Sequence, residues 1–276
     1  MITIVTDSNA QLSPELAERY RIEVVPLTVT VDGEEFLEGV DLDADAFYAR
    51  FASGTPTVTT SQPSPGRFAE VYTRAAERGA EAILSVHIGS ALSGTVNSAR
   101  LAAEGSAIPV RVVDTGTASF GISCCAWEAA EALRAGSSLE EAAELAEELA
   151  VSVGNVFVVR ALDLARAGGR LAAGVDAPAE AITVLSLVAG EIKSVGTAAT
   201  VDEAATVMAE YAVLAGRRLR AAVGIADPAA APLWQALEDR LAAAPEVVEV
   251  VRYRIGPSVG THTGPGTAGA FFYPTR

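Results

Sequence analysis

Short β-rich runs alternate with longer helical stretches along the first half of this chain. No other feature constrains the fold as much. Residues 2–5 form a β-rich run closed by Thr6-Asp7-Ser8. Ser13-Pro14-Glu15 then opens a helix, with Ser at the cap, Pro at the first helical position and an acid in the first turn. Residues 22–31 read as a second extended segment. Pro63-Ser64-Pro65 leads into a helix over 66–78. A buried strand over 82–88 is followed by a helix to about residue 103, and a strand over 110–113 ends in Asp114-Thr115. Helices follow over 117–135 and 139–152. Such alternation predicts a parallel, layered α/β sheet. In sheets of this kind, ligands meet the loops at the carboxyl ends of the strands. Thr6-Asp7-Ser8, the stretch from Gly89 to Thr95, and Asp114-Thr115 all occupy that position.

The pattern restarts after Val153-Gly154-Asn155. A strand over 156–159 and a helix over 161–167 precede Gly168-Gly169-Arg170. Further strands are expected over 182–188, 191–194, 221–225, 247–254 and 270–273, with helices over 202–218 and 229–243. This places two domains at 1–153 and 154–276. Half of the 276 residues are hydrophobic, enough for a core in each domain.

Charge and composition exclude several function classes. The net charge of −15 repels phosphate backbones and anionic membrane surfaces, so nucleic-acid binding is not expected. Apolar runs fall short of the roughly 18 residues a membrane span needs, so no stable membrane insertion is expected. The first residues read as a strand, not as a signal peptide. Cys124 and Cys125 are the only cysteines and stand side by side. They read as small buried residues in a reducing cytoplasm, not as a disulfide framework or a zinc site. The acids of residues 32–45, including Glu34, Glu35, Glu38, Asp41, Asp43 and Asp45, lack the spacing of a calcium loop and read as a solvated face.

Three hydroxyl-rich segments carry the candidate chemistry. They are Thr59-Thr60-Ser61-Gln62-Pro63-Ser64, Ser90-Ala91-Leu92-Ser93-Gly94-Thr95 and Gly260-Thr261-His262-Thr263-Gly264-Pro265-Gly266. Glycines admit tight turns and close approach of a ligand, and the hydroxyls and His262 can donate to an anionic head group. Each segment alone reads equally as a helix cap or a surface turn. A serine hydrolase built on Ser93, His262 and Asp114 or Asp7 is one alternative, although Ser93 lacks the GxSxG elbow. A binder of a phosphorylated metabolite is another, although no P-loop or dinucleotide fingerprint is present.

Taken together the motifs resemble the DegV family of bacterial fatty-acid-binding proteins. The resemblance runs from Val5-Thr6-Asp7-Ser8 through Thr60-Ser61-Gln62-Pro63-Ser64, Leu92-Ser93-Gly94-Thr95 with Asn97-Ser98-Ala99, Val113-Asp114-Thr115 and Gly168-Gly169-Arg170-Leu171 to the His262 segment. It implies a two-domain DegV-like α/β fold, an N-terminal parallel-sheet domain plus a C-terminal mixed-sheet domain. One long-chain fatty acid, such as palmitate, would lie between the domains, with no further cofactor and no metal. It implies that Thr60 and Ser93 hold the carboxylate, with Ser61, Gly94, Thr261 and His262 around the head group. It further implies a non-catalytic subunit of a fatty acid kinase, which presents its ligand for acyl-phosphate formation in phospholipid metabolism. Arg170 and His262 would then serve the partner or the phosphoryl transfer. The chain departs from the family pattern at Thr183-Val184-Leu185-Ser186-Leu187 and Val195-Gly196-Thr197-Ala198-Ala199-Thr200. A Lys-Pro pair and a basic cluster are usual in those places, and their loss weakens the inference of a kinase partner.

Overall fold

The computed structural model describes residues 1–160, 181–188 and 191–275. They divide into two compact units, Met1–Asp41 with Val58–Val151 and Leu42–Thr57 with Ser152–Arg276. This differs from a single boundary near residue 153 in one segment, Leu42–Thr57, which groups with the C-terminal half.

The first unit is built on a parallel sheet. Its strands are β1 (Ile2–Asp7), β2 (Glu23–Val25), β6 (Ala82–His87) and β7 (Val110–Asp114), in the order β2-β1-β6-β7. One face carries Val5 and Ile83 into a core with Phe68, Val71 and Tyr72 of α3 (Pro65–Glu77) and Val96 and Ala99 of α4 (Thr95–Glu104). Contacts of β1 and β6 with α5 (Phe120–Arg134) complete the layering. Helix α1 (Pro14–Tyr20) begins as the sequence predicts, with the Ser13 hydroxyl accepting from the Leu16 N–H. Helix α6 (Leu139–Ser152) closes the unit.

A second, antiparallel sheet of the same unit has the order β4-β3-β5, with β3 (Thr28–Val31), β4 (Glu34–Leu37) and β5 (Val58–Ser61). Residues 22–31 are therefore two strands in two sheets, not one extended segment. Pro26 between them has no N–H to give to a ladder. The next N–H, that of Leu27, goes to Ser8 Oγ at 3.0 Å. Asp32 and Gly33 take φ of +50° and +87°, the two-residue turn that fits the twist of β3 and β4.

The acidic stretch is not uniformly solvated. Glu38 is only 6% exposed, accepts from Ser8 Oγ at 2.5 Å and from Gln11 Nε2 at 3.3 Å, and ties the end of β4 to the end of β1. Buried carboxylates persist only when paired in this way. Asp43 caps α2 (Ala44–Ala49) by accepting from the Ala46 N–H at 2.8 Å.

The second unit holds a six-stranded mixed sheet in the order β10-β9-β8-β13-β11-β12. Its strands are β8 (Gly154–Val158), β9 (Ile182–Val188), β10 (Glu191–Ala198), β11 (Leu219–Ile225), β12 (Val247–Arg254) and β13 (Ala268–Pro274). Only β11 and β12 run parallel. Helices α7 (Val201–Val213) and α8 (Ala231–Ala243) bury Met208, Leu233, Leu237 and Leu241 against Val156, Val184, Val223 and Phe272.

Residues 257–263, expected as a loop, form helix α9 (Pro257–Thr263). Pro257 occupies the first turn, where its missing N–H costs nothing. Gly264, at φ +69°, ends the helix. Gly260 faces α2: a Cβ there would lie 2.5 Å from Tyr48 Oη and 2.7 Å from Phe47 Cε1. This close packing of α2 on α9 is why Leu42–Thr57 groups with the C-terminal half.

Among the described residues no helix is long and apolar enough to cross a membrane, and no cluster of His, Cys, Asp and Glu could hold a metal ion.

Candidate functional site

At the carboxyl edge of the parallel sheet, the loops after β6 and β7 lock together. Gly89 lies against Gly116, where an added Cβ would come within 2.6 Å of the Gly116 carbonyl carbon. The Gly89 N–H donates to Thr117 O at 2.8 Å, and the Thr115 hydroxyl donates to His87 O at 2.8 Å. Asp114 Oδ1 accepts from the N–H groups of Ser90 (3.0 Å) and Gly116 (3.1 Å). Partial burial would raise this carboxyl. Hydrogen bonds from Ser90 and Gly116, with the charge of Arg100 nearby, outweigh it and hold the pKa below its ordinary value of 3.8.

Ser93 stands just before α4. Its Oγ is 2.9 Å from Thr95 Oγ1 and accepts from the Thr95 N–H at 3.3 Å. If Thr95 donates in this pair, the Ser93 proton is left for a ligand. The helix N-terminus behind it favours an anion. Thr60 and Ser61 end β5, Thr60 half-buried and Ser61 exposed, opposite Val29 and Thr28 of β3. Ser64 caps α3, accepting from the Arg67 N–H at 3.3 Å. Gly94 is where these two segments meet. A Cβ on it would sit 2.3 Å from Gln62 Oε1, so the Gln62 amide lies directly on the Gly94 backbone.

Thr261 and His262 lie on α9 in the second unit. The Thr261 hydroxyl is buried and donates to Pro257 O at 2.9 Å, and Thr263 donates to Val259 O at 3.2 Å. With its proton engaged inside the helix, Thr261 has lone pairs to offer and no free O–H. His262 is half-buried. Arg170 lies outside the described residues.

A second histidine carries structure that the sequence reading passed over. His87 is fully buried at the end of β6, and its Nδ1 is 2.9 Å from Asp7 Oδ2. Its Nε2 is 2.6 Å from Ser85 Oγ, which in turn is 2.8 Å from Tyr72 Oη. Burial pushes the Tyr72 hydroxyl up to about 12, its bond to Ser85 opposing, so it keeps its proton. The signal was present: Ser85 and His87 sit two apart in an apolar strand and so share one face.

Cys124 and Cys125 are buried and unbridged. Burial raises the Cys125 thiol to about 12, which removes it as a nucleophile at neutral pH.

A parallel α/β unit carrying hydroxyl-bearing loops at its strand ends, together with a mixed-sheet unit, defines a class of two-unit α/β proteins. Residues 1–275 match the sequence profile of the DegV family, described as uncharacterised proteins, and the chain belongs to that family. It is 36% identical over 272 residues to a DegV domain-containing protein of Streptomyces coelicolor, covering 97% of this chain and 96% of the relative. Among solved structures it resembles a DegV family protein from Thermus thermophilus described as fatty-acid binding. That pair has a TM-score of 0.89, 33% identity and 99% coverage of each chain. DegV of Bacillus subtilis, described as a fatty acid binding protein, aligns with a TM-score of 0.87 at 28% identity, over 99% of both chains.

Proposed function

We propose that this chain binds one long-chain fatty acid, palmitate or a similar acid, through a carboxylate held by Thr60 and Ser93. In this reading Ser61, Gly94, His262 and Thr261 complete the head-group surroundings, Thr261 by packing. The observation that carries it is the end-to-end match to solved DegV proteins described as fatty-acid binding. One of these, from Eubacterium ventriosum, is described as binding stearic acid, with a TM-score of 0.87 at 25% identity.

A carboxylate accepts hydrogen bonds only and needs donors once it leaves water. Two hydroxyls and the N–H groups around Gly94 supply them, each bond worth about 1.5–3 kcal/mol. An acyl tail contributes about 0.8 kcal/mol per buried methylene, on the order of 10 kcal/mol gross. The tail therefore sets affinity and the polar loops set head-group identity.

The role is carriage, not catalysis. Ser93 Oγ bonds to Thr95 and not to an imidazole, which favours a ligand donor over an activated nucleophile. A cytoplasmic setting fits the two buried, unbridged cysteines. Presentation of the bound acid to a separate kinase, with Arg170 and His262 serving the transfer, completes the proposal.

The test is titration of fatty acid into wild type and the T60A/S93A double variant. Loss of two charged hydrogen bonds should weaken binding by at least about 100-fold with the thermal unfolding midpoint little changed. Unchanged affinity would place the head group elsewhere.

A further inference from the structure

We infer that Asp7 and His87 form a buried positioning pair that holds the Ile88–Ser93 turn in the conformation that presents Ser93 to the ligand head group. The presentation rests on the reading of Ser93 as a carboxylate donor; the hold on the turn does not.

Tyr72 Oη is 2.8 Å from Ser85 Oγ, and either hydroxyl can donate. Ser85 Oγ is 2.6 Å from His87 Nε2, and His87 Nδ1 is 2.9 Å from Asp7 Oδ2. Every donor and acceptor in this row is filled once when Tyr72 donates to Ser85, Ser85 to His87 Nε2, and His87 Nδ1–H to Asp7. The reverse assignment would turn the Ser85 proton toward Tyr72 and leave the Tyr72 O–H, on a side chain 1% exposed, without an acceptor among its hydrogen bonds. The hydrogen-bond order thus fixes the histidine tautomer. Phe68 packs edge-on to the ring, with centroids 5.0 Å apart, and fixes its plane.

Asp7 is where this chain meets the loops. The same Oδ2 that receives His87 also accepts from the Ile88 N–H at 3.2 Å, the first residue of the turn. Asp7 Oδ1 accepts from the Asn9 N–H at 3.0 Å, and Asn9 Oδ1 accepts from the Ser119 N–H at 3.0 Å. Ser119 is held at φ +57°, a conformation rare for a non-glycine residue. One carboxylate thereby joins the end of β1, the start of the Ser93 turn and, through Asn9, the start of α5. The main-chain oxygen of His87 accepts from both the N–H and the hydroxyl of Thr115, which adds the β7 loop. A buried carboxylate held by hydrogen bonds is a poor source of net stability compared with apolar packing, and fixing one conformation is the better-attested use of such a group.

The experiment compares wild type with H87A, H87N and D7N. The first readout needs no ligand: amide hydrogen exchange at residues 88–93 relative to the rest of the parallel sheet. H87A should accelerate exchange there by at least tenfold while the strand amides of β1 and β6 keep their protection. H87N carries an amide N–H that can reach toward Asp7 and should restore much of the protection. D7N keeps an oxygen for Ile88 but loses the charge, and should fall between. The second readout is affinity for a fatty acid against its methyl ester. H87A should weaken the acid by about tenfold and leave the ester unchanged, with H87N recovering most of the loss.

Exchange that rises uniformly across the unit, or equal losses for acid and ester, would overturn the assignment and mark the pair as ordinary core. If H87A does not fold, H87N and D7N carry the same comparison. If wild type binds neither acid nor ester, the fatty-acid reading falls, and the exchange data alone decide whether the pair holds the turn.

Discussion

Two glycines of the site do different work although both sit under a close neighbour. Gly89 faces the backbone of Gly116, which cannot step aside, whereas Gly94 faces the far end of the Gln62 side chain, which can. G89A should therefore lose about 1–3 kcal/mol of folding stability, the usual cost of overpacking. G94A should stay within about 0.5 kcal/mol of wild type, and thermal unfolding of the two variants checks the contrast. Equal losses would show that Gln62 is as rigid as backbone. Asp114 gives a prediction with a sign. Its carboxyl is held below 3.8 in the folded chain, so its contribution is present above that value and lost as pH falls through the lower folded pKa. The stability difference between wild type and D114N should be flat above about pH 5 and shrink toward zero in stronger acid. Because the carboxylate keeps part of its hydration, the difference should not exceed about 1 kcal/mol. A difference that grows on acidification would contradict the hydrogen-bond assignment. At this scale the sequence shows which residues have chemistry, but not how they pair. Ser93 as a candidate was legible from its motif and its helix. Asp7 and His87 were not, because their partners lie 80 positions away and only the parallel register of β1 and β6 brings them together.

Among the elements, helices with a cap signal were the most legible. Ser13-Pro14 and Ser64-Pro65 each place a serine at the cap and a proline in the first turn, and both helices start there. Strands with special turns were less so. A single extended reading of 22–31 missed that Pro26 breaks the ladder and sends β2 and β3 to separate sheets. Glycine content made 257–263 look like a loop. Backbone hydrogen bonds such as Gly260 N–H to Gly256 O at 2.8 Å, together with close packing on α2, override the weak helix propensity of two threonines and a glycine. That packing yields a prediction. A methyl group at 260 would press on the Tyr48 and Phe47 rings, both buried, and their edge-to-face stack with centroids 5.1 Å apart leaves little slack. G260A should cost about 1–3 kcal/mol in chemical denaturation. Wild-type stability in this variant would mean that α2 gives way freely and that the α2–α9 contact contributes little.

On the scale of the whole molecule, the alternation of β and α made the parallel sheet readable, and the restart near residue 153 made a second unit readable, whose mixed sheet only the family resemblance implied. The return of Leu42–Thr57 to the C-terminal half was not, because a short helix declares its partner only through tertiary packing. Composition set the outer limits: a net charge of −15 argued against nucleic acid, and the low aromatic content left Ala, Val, Leu and Ile to fill the cores. Family membership was legible only as a set of motifs in order, since each hydroxyl segment alone is also an ordinary cap or turn. The central claim is that this DegV family chain carries a fatty acid. Mass spectrometry of the small molecules released on denaturing the purified protein tests it most directly. The account predicts about one long-chain fatty acid per chain. A protein that is empty, and that also fails to take up added fatty acid, would contradict it.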